Sequence, residues 1–228
     1  MDARYKVISI GAMAAHPLWN EREEVRSPHA TTTLIEAGES RVLVDPSLPA
    51  QILSVRLRER ANLGPQDITH VFLTSFQPLR RRGLASFERA KWLISERERE
   101  SIGVSLIERL REAMEGDDQE LVKVLEPEVA LLQRCEAAPD SITEGVDLFP
   151  LYGVTPGTCG LLLPTSKATV VICGDAIPTV EHLEQGKVLP NCADVEQAQE
   201  SFREAIDIAD LLILGRDNLV LNPLRRPF

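Results

Sequence analysis

The chain consists of two β-rich halves, and this repetition is the feature that most constrains its fold. In the first half, turn residues and short apolar runs predict strands at 5–10, 31–36, 41–44 and 70–73. In the second half, the same signals predict strands at 146–151, 160–163, 168–173 and 211–214. Helical periodicity predicts helices at 49–61, within 85–134 and at 195–208. Two β-rich halves with helices outside predict an α/β fold, a four-layer αββα sandwich.

The composition fits one compact domain that spans residues 1–228. A chain of 228 residues with 43% hydrophobic residues can bury a full core. No run approaches the roughly 20 apolar residues of a membrane span, and the first residues lack the pattern of a signal peptide. The four cysteines are widely spaced and contain no C-x-x-C pair, which favours reduced thiols. We therefore expect a cytoplasmic protein.

The charge balance argues against a polyanionic partner. The formal net charge is -10 and the isoelectric point is near 5.0, so the mean field repels a phosphate backbone. We expect neither a nucleic-acid partner nor a membrane partner. The basic residues Arg80, Arg81 and Arg82 and the terminal pair Arg225 and Arg226 are local exceptions. For Arg81, Arg82 and the terminal pair, the expected role is a solvated face.

Several strands end at residues that could belong to a functional site. An apolar strand ends at Thr74, other strands lead into Asp45 and Asp175, and an arginine follows a glycine after the last predicted strand. In this order, the segments resemble the metal-binding segments of the metallo-β-lactamase fold over roughly residues 30–218. In that fold, the loop after the apolar strand is His-x-His-x-Asp-His, and later segments supply two more histidines and a bridging aspartate. Here the seven ligand positions are Ser75, Gln77, Leu79, Arg80, Thr158, Asp175 and Arg216.

The resemblance implies this fold without its metal chemistry. Of the seven positions, only Asp175 keeps a residue type that ligates a metal. A catalytic zinc needs about three protein ligands, so we expect a degenerate site with no metal, no other cofactor and no catalytic residue of the family type. A displaced metal site built from Asp45, Asp175 and Cys159 with His16 or His29 has no support from the spacing.

Two arginines occupy positions that would direct histidines at the second metal. Arg80 and Arg216 would then converge on Asp175 and replace the charge of that metal. Because guanidinium binds a carboxylate in a planar, two-pronged manner, we expect ion pairs with Asp175. The alternative is that both arginines point to solvent and that Asp175 caps a backbone amide.

A few other side chains are candidates for the cleft. His16 and His29 flank a loop that lies near the mouth of the site in this fold, so they are the candidate general bases. Cys159 follows the altered Thr-Pro-Gly turn and is a candidate for the same pocket, but without a placed base we expect an unreactive buried cysteine. Asp45 is the remaining cleft candidate. His182 is expected to lie in a polar helical stretch.

These features predict a noncatalytic protein that acts in binding or interaction through the old cleft or through an oligomer surface. A small molecule or an anion is the expected ligand class, since two arginines converge on the cleft. A two-fold homodimer is expected to use apolar helix stripes within residues 85–134. The alternative is a hydrolase with an irregular metal site or with metal-free acid/base chemistry at His16, His29 or Cys159.

Overall fold

The computed structural model describes residues 2–225, and within this range the strands form two six-stranded sheets. The first sheet has the order β1 to β6, with antiparallel pairing from β1 to β3 and parallel pairing from β3 to β6. Its strands are β1 (Arg4–Ser9), β2 (Thr32–Ala37), β3 (Ser40–Val44), β4 (His70–Leu73), β5 (Lys91–Ile94) and β6 (Glu136–Ala137).

The second sheet runs in the order β12 to β7, and only β10 and β11 are parallel neighbours among its described strands. Its strands are β7 (Ser141–Thr143), β8 (Val146–Pro150), β9 (Cys159–Pro164), β10 (Thr169–Gly174), β11 (Leu211–Leu214) and β12 (Leu219–Leu221).

The helices start at polar caps where the sequence supplies them. Ser95, Asp118 and Asp194 each accept a backbone N–H of the first helical turn, which satisfies a donor that the helix itself leaves unpaired. These residues precede α2, α3 and α5. The helices are α1 (Ala50–Ala61), α2 (Glu96–Glu115), α3 (Gln119–Arg134), α4 (Val180–Gln185) and α5 (Val195–Ile208).

Three apolar layers separate the helices and the sheets. One layer packs α1, α2 and α3 against the first sheet and includes Leu53 and Leu106. A second lies between the two sheets and includes Phe72 and Ile172. A third packs α5 against the second sheet around Phe202. The predicted four-layer αββα sandwich is therefore confirmed.

The region 85–134 differs from the sequence prediction. Residues 91–94 form β5 rather than helix, because Trp92 and Ile94 are buried and pair with β4 in the sheet. Gly103 and Pro127 are residue types that disfavour a helix interior, yet α2 and α3 continue through them. Buried residues on both helices outweigh these local preferences. Within residues 2–225, no helix is long and apolar enough to cross a membrane.

Candidate functional site

Polar residues collect at one end of both sheets. Asp45 follows β3 with a left-handed backbone angle of φ 49°, and Asp175 follows β10. The two sheets approach closely here, since a Cβ atom on Gly174 would lie 2.8 Å from Thr74 Oγ1. Gly174 also has φ 54°, which glycine adopts without strain. The chain therefore brings the carboxylates of two different sheets together.

Arg80 lies between these two carboxylates and is fully buried. Its Nη1 is 2.5 Å from Asp45 Oδ2, and its Nη2 is 2.6 Å from Asp175 Oδ1. The Nη2 contact is an ion pair without hydrogen-bond geometry, and Nε and Nη2 have no hydrogen-bond partner within residues 2–225. Charge attraction to two carboxylates is therefore the main compensation for burying this cation.

The Asp45 carboxylate accepts hydrogen bonds from Thr74 and from Arg80. Its Oδ1 accepts the Thr74 backbone N–H at 2.9 Å, and its Oδ2 accepts the Thr74 hydroxyl at 2.7 Å as well as Arg80. Burial raises the pKa of Asp45, and Arg80 and Thr74 oppose this effect. The Arg80 guanidinium and the Thr74 N–H can only donate, so the contacts fit the ionised form.

Asp175 is held by two guanidinium groups. Arg216 donates from Nε to Oδ1 at 2.9 Å and from Nη2 to Oδ2 at 2.7 Å, while Arg80 approaches from the buried side. Burial alone would raise the pKa of Asp175, but Arg80 and Arg216 outweigh it and hold the pKa well below its ordinary range. The pKa of Asp175 is lowered and that of Asp45 is not, because Asp175 has Arg216 as a second cationic partner. The predicted ion pairs are confirmed, and the prediction's alternative with solvent-directed arginines is wrong.

The other positions that correspond to metal ligands in the resemblance do not bring metal-binding atoms together. Thr158 Oγ1 accepts the backbone N–H of Thr155 at 2.9 Å, within its own turn. The Leu79 carbonyl accepts the Ser47 hydroxyl at 2.6 Å, and Ser75 is buried, whereas Gln77 is partly exposed.

The residues present do not fit the metal ions that this fold carries elsewhere. The guanidinium of Arg80 already contacts both Asp45 and Asp175, the carboxylates that are left. Across residues 2–225, no group of three or more His, Cys, Asp or Glu side chains is placed to hold a metal ion. The cation at this position is therefore a side chain.

Glu98 is a buried carboxylate that the sequence interpretation missed. Its Oε1 accepts the backbone N–H of Phe76 at 2.9 Å, and its Oε2 accepts the Thr155 hydroxyl at 2.7 Å and the Gly157 N–H at 3.0 Å. It therefore joins the loop after β4 to the loop before β9. The pattern Ser95-x-x-Glu98 is a signal for a helix start, but it cannot show that this side chain leaves its own helix.

Two cleft candidates lie away from the cluster of arginines and aspartates. The Cys159 side chain packs in the core between the sheets, and burial raises the pKa of its thiol to about 12. Cys159 is therefore the unreactive buried cysteine that the sequence favoured, and it does not line the pocket. His29 faces the carbonyls of Ser27 and Ile10 at 3.1 and 2.8 Å and lines a different surface depression, beside Arg56.

Arg81 also departs from its expected place on a solvated face. Its side chain is 7% exposed, donates from Nε to the Phe76 carbonyl at 2.9 Å and forms an ion pair with Glu128. Arg82 is exposed, as expected, and Arg226 lies outside the described residues.

His16 belongs to a second polar group, which we call the rim cluster: His16, Thr179, Glu181 and His182. The Thr179 hydroxyl lies 3.0 Å from His16 Nε2, 2.9 Å from His182 Nδ1 and 2.8 Å from Glu181 Oε2. Since an ionised Glu181 can only accept, Thr179 donates to Glu181 and both imidazoles donate to Thr179. Burial, with His16 as the next cause, lowers the pKa of His182 to about 4, so His182 is neutral at pH 7.

Two features of the rim cluster were not apparent in the sequence. His182 was expected in a polar helical stretch, but it is 1% exposed. Thr179 occupies the cap position of α4, yet its hydroxyl makes no cap hydrogen bond and contacts the imidazoles instead.

A cavity of about 210 Å³ opens between the rim cluster and Arg216. The ring of Trp19 stacks on His16 with centroids 4.2 Å apart, and Arg26 lies over the outer part of Trp19 at 5.2 Å. We call this cavity the rim pocket; it is lined by His16, Trp19, Arg26, Thr179, Glu181 and Arg216, among others.

Comparison with known proteins finds similarity in structure and not in sequence. No protein-family model matches the chain, and no curated protein matches its sequence. A Thermotoga maritima protein assigned provisionally to the metallo-β-lactamases has a TM-score of 0.68 at 17% identity, over 97% of this chain and 100% of its own. The dizinc quorum-quenching lactonase AidC has a TM-score of 0.68 at 15% identity, over 99% of this chain and 89% of its own. A quorum-quenching N-acyl homoserine lactone lactonase has a TM-score of 0.62 at 17% identity, over 95% and 94%.

At such low identities, these matches establish the fold and not the activity. They extend over nearly the whole chain, and they agree with the two packed sheets and the helices on their outer faces. This chain therefore has the metallo-β-lactamase fold.

Proposed function

We propose that the protein is a noncatalytic binding protein that takes a small organic anion in the rim pocket. The observation that carries this proposal is the buried guanidinium of Arg80 between Asp45 and Asp175. Hydrolysis in this fold depends on water bound to a metal, which is activated by a lowered pKa. A guanidinium cannot coordinate a water molecule as a metal ion does, so Arg80 cannot activate water in this way.

The rim pocket supports a small ligand. Its volume of about 210 Å³ equals that of about seven water molecules. Arg216 uses Nε and Nη2 for Asp175, and within residues 2–225 its Nη1 makes no hydrogen bond. Arg26 lies above Trp19, but its Nη1 and Nη2 already contact Glu21 and its Nε donates to the Met13 carbonyl. The Nη1 of Arg216 beside the aromatic ring of Trp19 therefore favours a carboxylate or a phosphate with a short apolar part.

Fluorescence of Trp19 provides the binding test. Trp19 is 52% exposed and lines the pocket, whereas Trp92 is 2% exposed and lies in the core. Titration with acetate and with inorganic phosphate should give a saturable change in emission that Trp19→Phe removes. Arg216→Met should weaken binding, and Arg82→Met, an exposed arginine away from the pocket, should not.

Two results would contradict binding in this pocket. One is a change in emission that rises linearly to high anion concentration, and the other is a response that persists in Trp19→Phe. The noncatalytic part is tested separately with aryl esters and lactones in the presence of zinc, manganese or iron. Turnover that depends on the metal would overturn it.

A metal-free hydrolase is the second candidate function, because of the position of His16. Its Nε2 lies 3.1 Å from Glu181 Oε2, the relation of a general base to the carboxylate that orients it. In such a reaction, His16 would take a proton from water as the water oxygen attacks an ester carbonyl, and would return the proton to the leaving alcohol. This candidate is second because Nδ1 of His16 is buried and has no hydrogen-bond partner in the described structure.

The two candidates differ in a simple assay. A metal-free hydrolase would turn over esters in the presence of chelator and would lose this activity in His16→Gln. Under the binding proposal, the wild type and His16→Gln both show only the background rate.

A further inference from the structure

The outward face of α2 carries a regular stripe. We call it the α2 seam: Glu100, Val104, Ile107, Arg111 and Met114. These positions are separated by 4, 3, 4 and 3 residues, the spacing of a helix that packs lengthwise against another helix. The opposite face of α2 is already occupied, because Leu106 and Ala113 are buried against the first sheet and α3.

The apolar members of the α2 seam are strongly exposed. Val104 and Ile107 are each 58% exposed, and Met114 is 62% exposed. Beside them, a groove of about 450 Å³ runs between α2 and α3, and its walls include Val129 and Leu132. Single exposed apolar residues are ordinary, but a heptad-spaced stripe next to an apolar groove is typical of a helix that packs on a partner.

The charges of the seam indicate which partner fits. Glu100 lies four residues before Val104, and Arg111 lies four residues after Ile107. If a second copy of α2 packs antiparallel about a two-fold axis between Val104 and Ile107, Glu100 of each copy faces Arg111 of the other. A parallel arrangement would place Glu100 against Glu100 and Arg111 against Arg111, which is repulsive.

We propose that two copies of this chain associate through antiparallel packing of their α2 seams. Val104 of each copy packs on Ile107 of the other, and two symmetric Glu100–Arg111 pairs fix the orientation. A two-fold interface uses the same patch on both subunits, so this self-complementary pattern meets its requirement. Among residues 2–225, the one salt bridge of Arg111 is a long contact with Glu115, at 3.8 Å between two exposed side chains, which the dimer can replace.

Charge reversal tests the proposal by analytical ultracentrifugation. Wild type should sediment as a dimer at tens of micromolar. Glu100→Arg and Arg111→Glu should each raise the dissociation constant about tenfold or more, because each creates two like-charge pairs by symmetry. The double variant Glu100→Arg/Arg111→Glu should restore dimerisation.

Controls separate this surface from a general effect on folding or charge. Glu112→Arg reverses an exposed charge on the same helix outside the seam, and it should leave the dissociation constant unchanged. Val104→Asp should give a monomer whose thermal unfolding midpoint equals that of wild type diluted below its dissociation constant, since its side chain points away from the core. A monomeric wild type, single reversals without effect, or a double variant that stays dissociated would each overturn the proposal. None of these results bears on ligand binding in the rim pocket.

Discussion

Two polar clusters lie at the same end of the sandwich, and their groups are satisfied in different ways. In the buried cluster, Arg80 and Arg216 compensate Asp45 and Asp175 with permanent charges. In the rim cluster, a threonine hydroxyl joins two imidazoles and a glutamate. The first arrangement keeps its charge over the physiological range of pH, whereas the second depends on the protonation of histidine.

The comparison shows how side chains alone can compensate two buried carboxylates in a scaffold of this kind. A buried carboxylate must be neutralised or paired with a cation, because an isolated buried charge is very costly. Arg80 provides that cation at the deepest position, and Arg216 provides a second one at the rim pocket. His16 and His182 lie outside this cluster, in the rim cluster.

Removal of Arg80 should have the largest effect on stability. Arg80→Ala leaves Asp45 buried without a cation and should reduce the free energy of unfolding by about 3 to 5 kcal/mol. Urea unfolding measures this value. Adding Asp45→Asn to Arg80→Ala should recover part of the loss, because the uncompensated charge is then absent.

Arg82→Ala is the matched control, since Arg82 is an exposed neighbour of Arg80 in the same loop. Its effect should stay within about 0.5 kcal/mol. A loss below about 1 kcal/mol for Arg80→Ala would show that the buried ion pairs do not compensate the carboxylates as described.

Acidification should affect His182 in the rim cluster before it affects Asp175 in the buried cluster. Because the pKa of folded His182 is about 4 against an ordinary 6.5, the unfolded chain takes up the proton first as the pH falls. Stability should therefore decline between about pH 6.5 and 4, by at most about 3 kcal/mol. The stability contributed by Asp175 is lost only below its ordinary pKa of 3.8.

His182→Asn isolates this effect, because an amide can still donate to Thr179 but does not titrate. Unfolding free energies measured from pH 7 to 4 should fall less steeply in this variant than in wild type. Equal slopes would show that His182 does not titrate differently in the folded and unfolded chains.

Arg216→Ala should have a smaller effect than Arg80→Ala. Asp175 then loses its two-pronged partner but keeps Arg80, and the Arg216 side chain is 16% exposed, so water can reach the gap. We expect a loss of about 1 to 2 kcal/mol in urea unfolding. Arg216→His should not create zinc binding, because too few ligands surround it. If Arg216→Ala reduced the free energy of unfolding as much as Arg80→Ala, Arg216 and not Arg80 would be the main cation that compensates Asp175.

The sequence predicts the fold and part of the buried cluster. The order of strands, the aspartates that follow them and the substituted ligand positions suffice for the fold and for the contacts of Arg80 and Arg216 with Asp175. They do not reveal that Arg80 also binds Asp45, because the two residues lie 35 positions apart, after different strands. Glu98 was missed because its partners are backbone amides of distant loops, which leave no sequence pattern.

The rim cluster was harder to predict for a related reason. His16 and Thr179 are 163 positions apart, and only the packed sheets bring them together. His182 looked exposed because its neighbours in the sequence are polar, yet α4 is short and turns this residue inward. Periodicity is a weak signal over six residues.

Metal analysis of protein purified without chelator tests the central claim most directly. If the Arg80 guanidinium takes the place of the metal ions, the protein should contain no stoichiometric zinc, iron or manganese, and chelator should leave its unfolding midpoint unchanged. Stoichiometric metal, or a loss of more than about 1 kcal/mol of stability on chelation, would contradict the account, because metal binding to a folded site is coupled to stability.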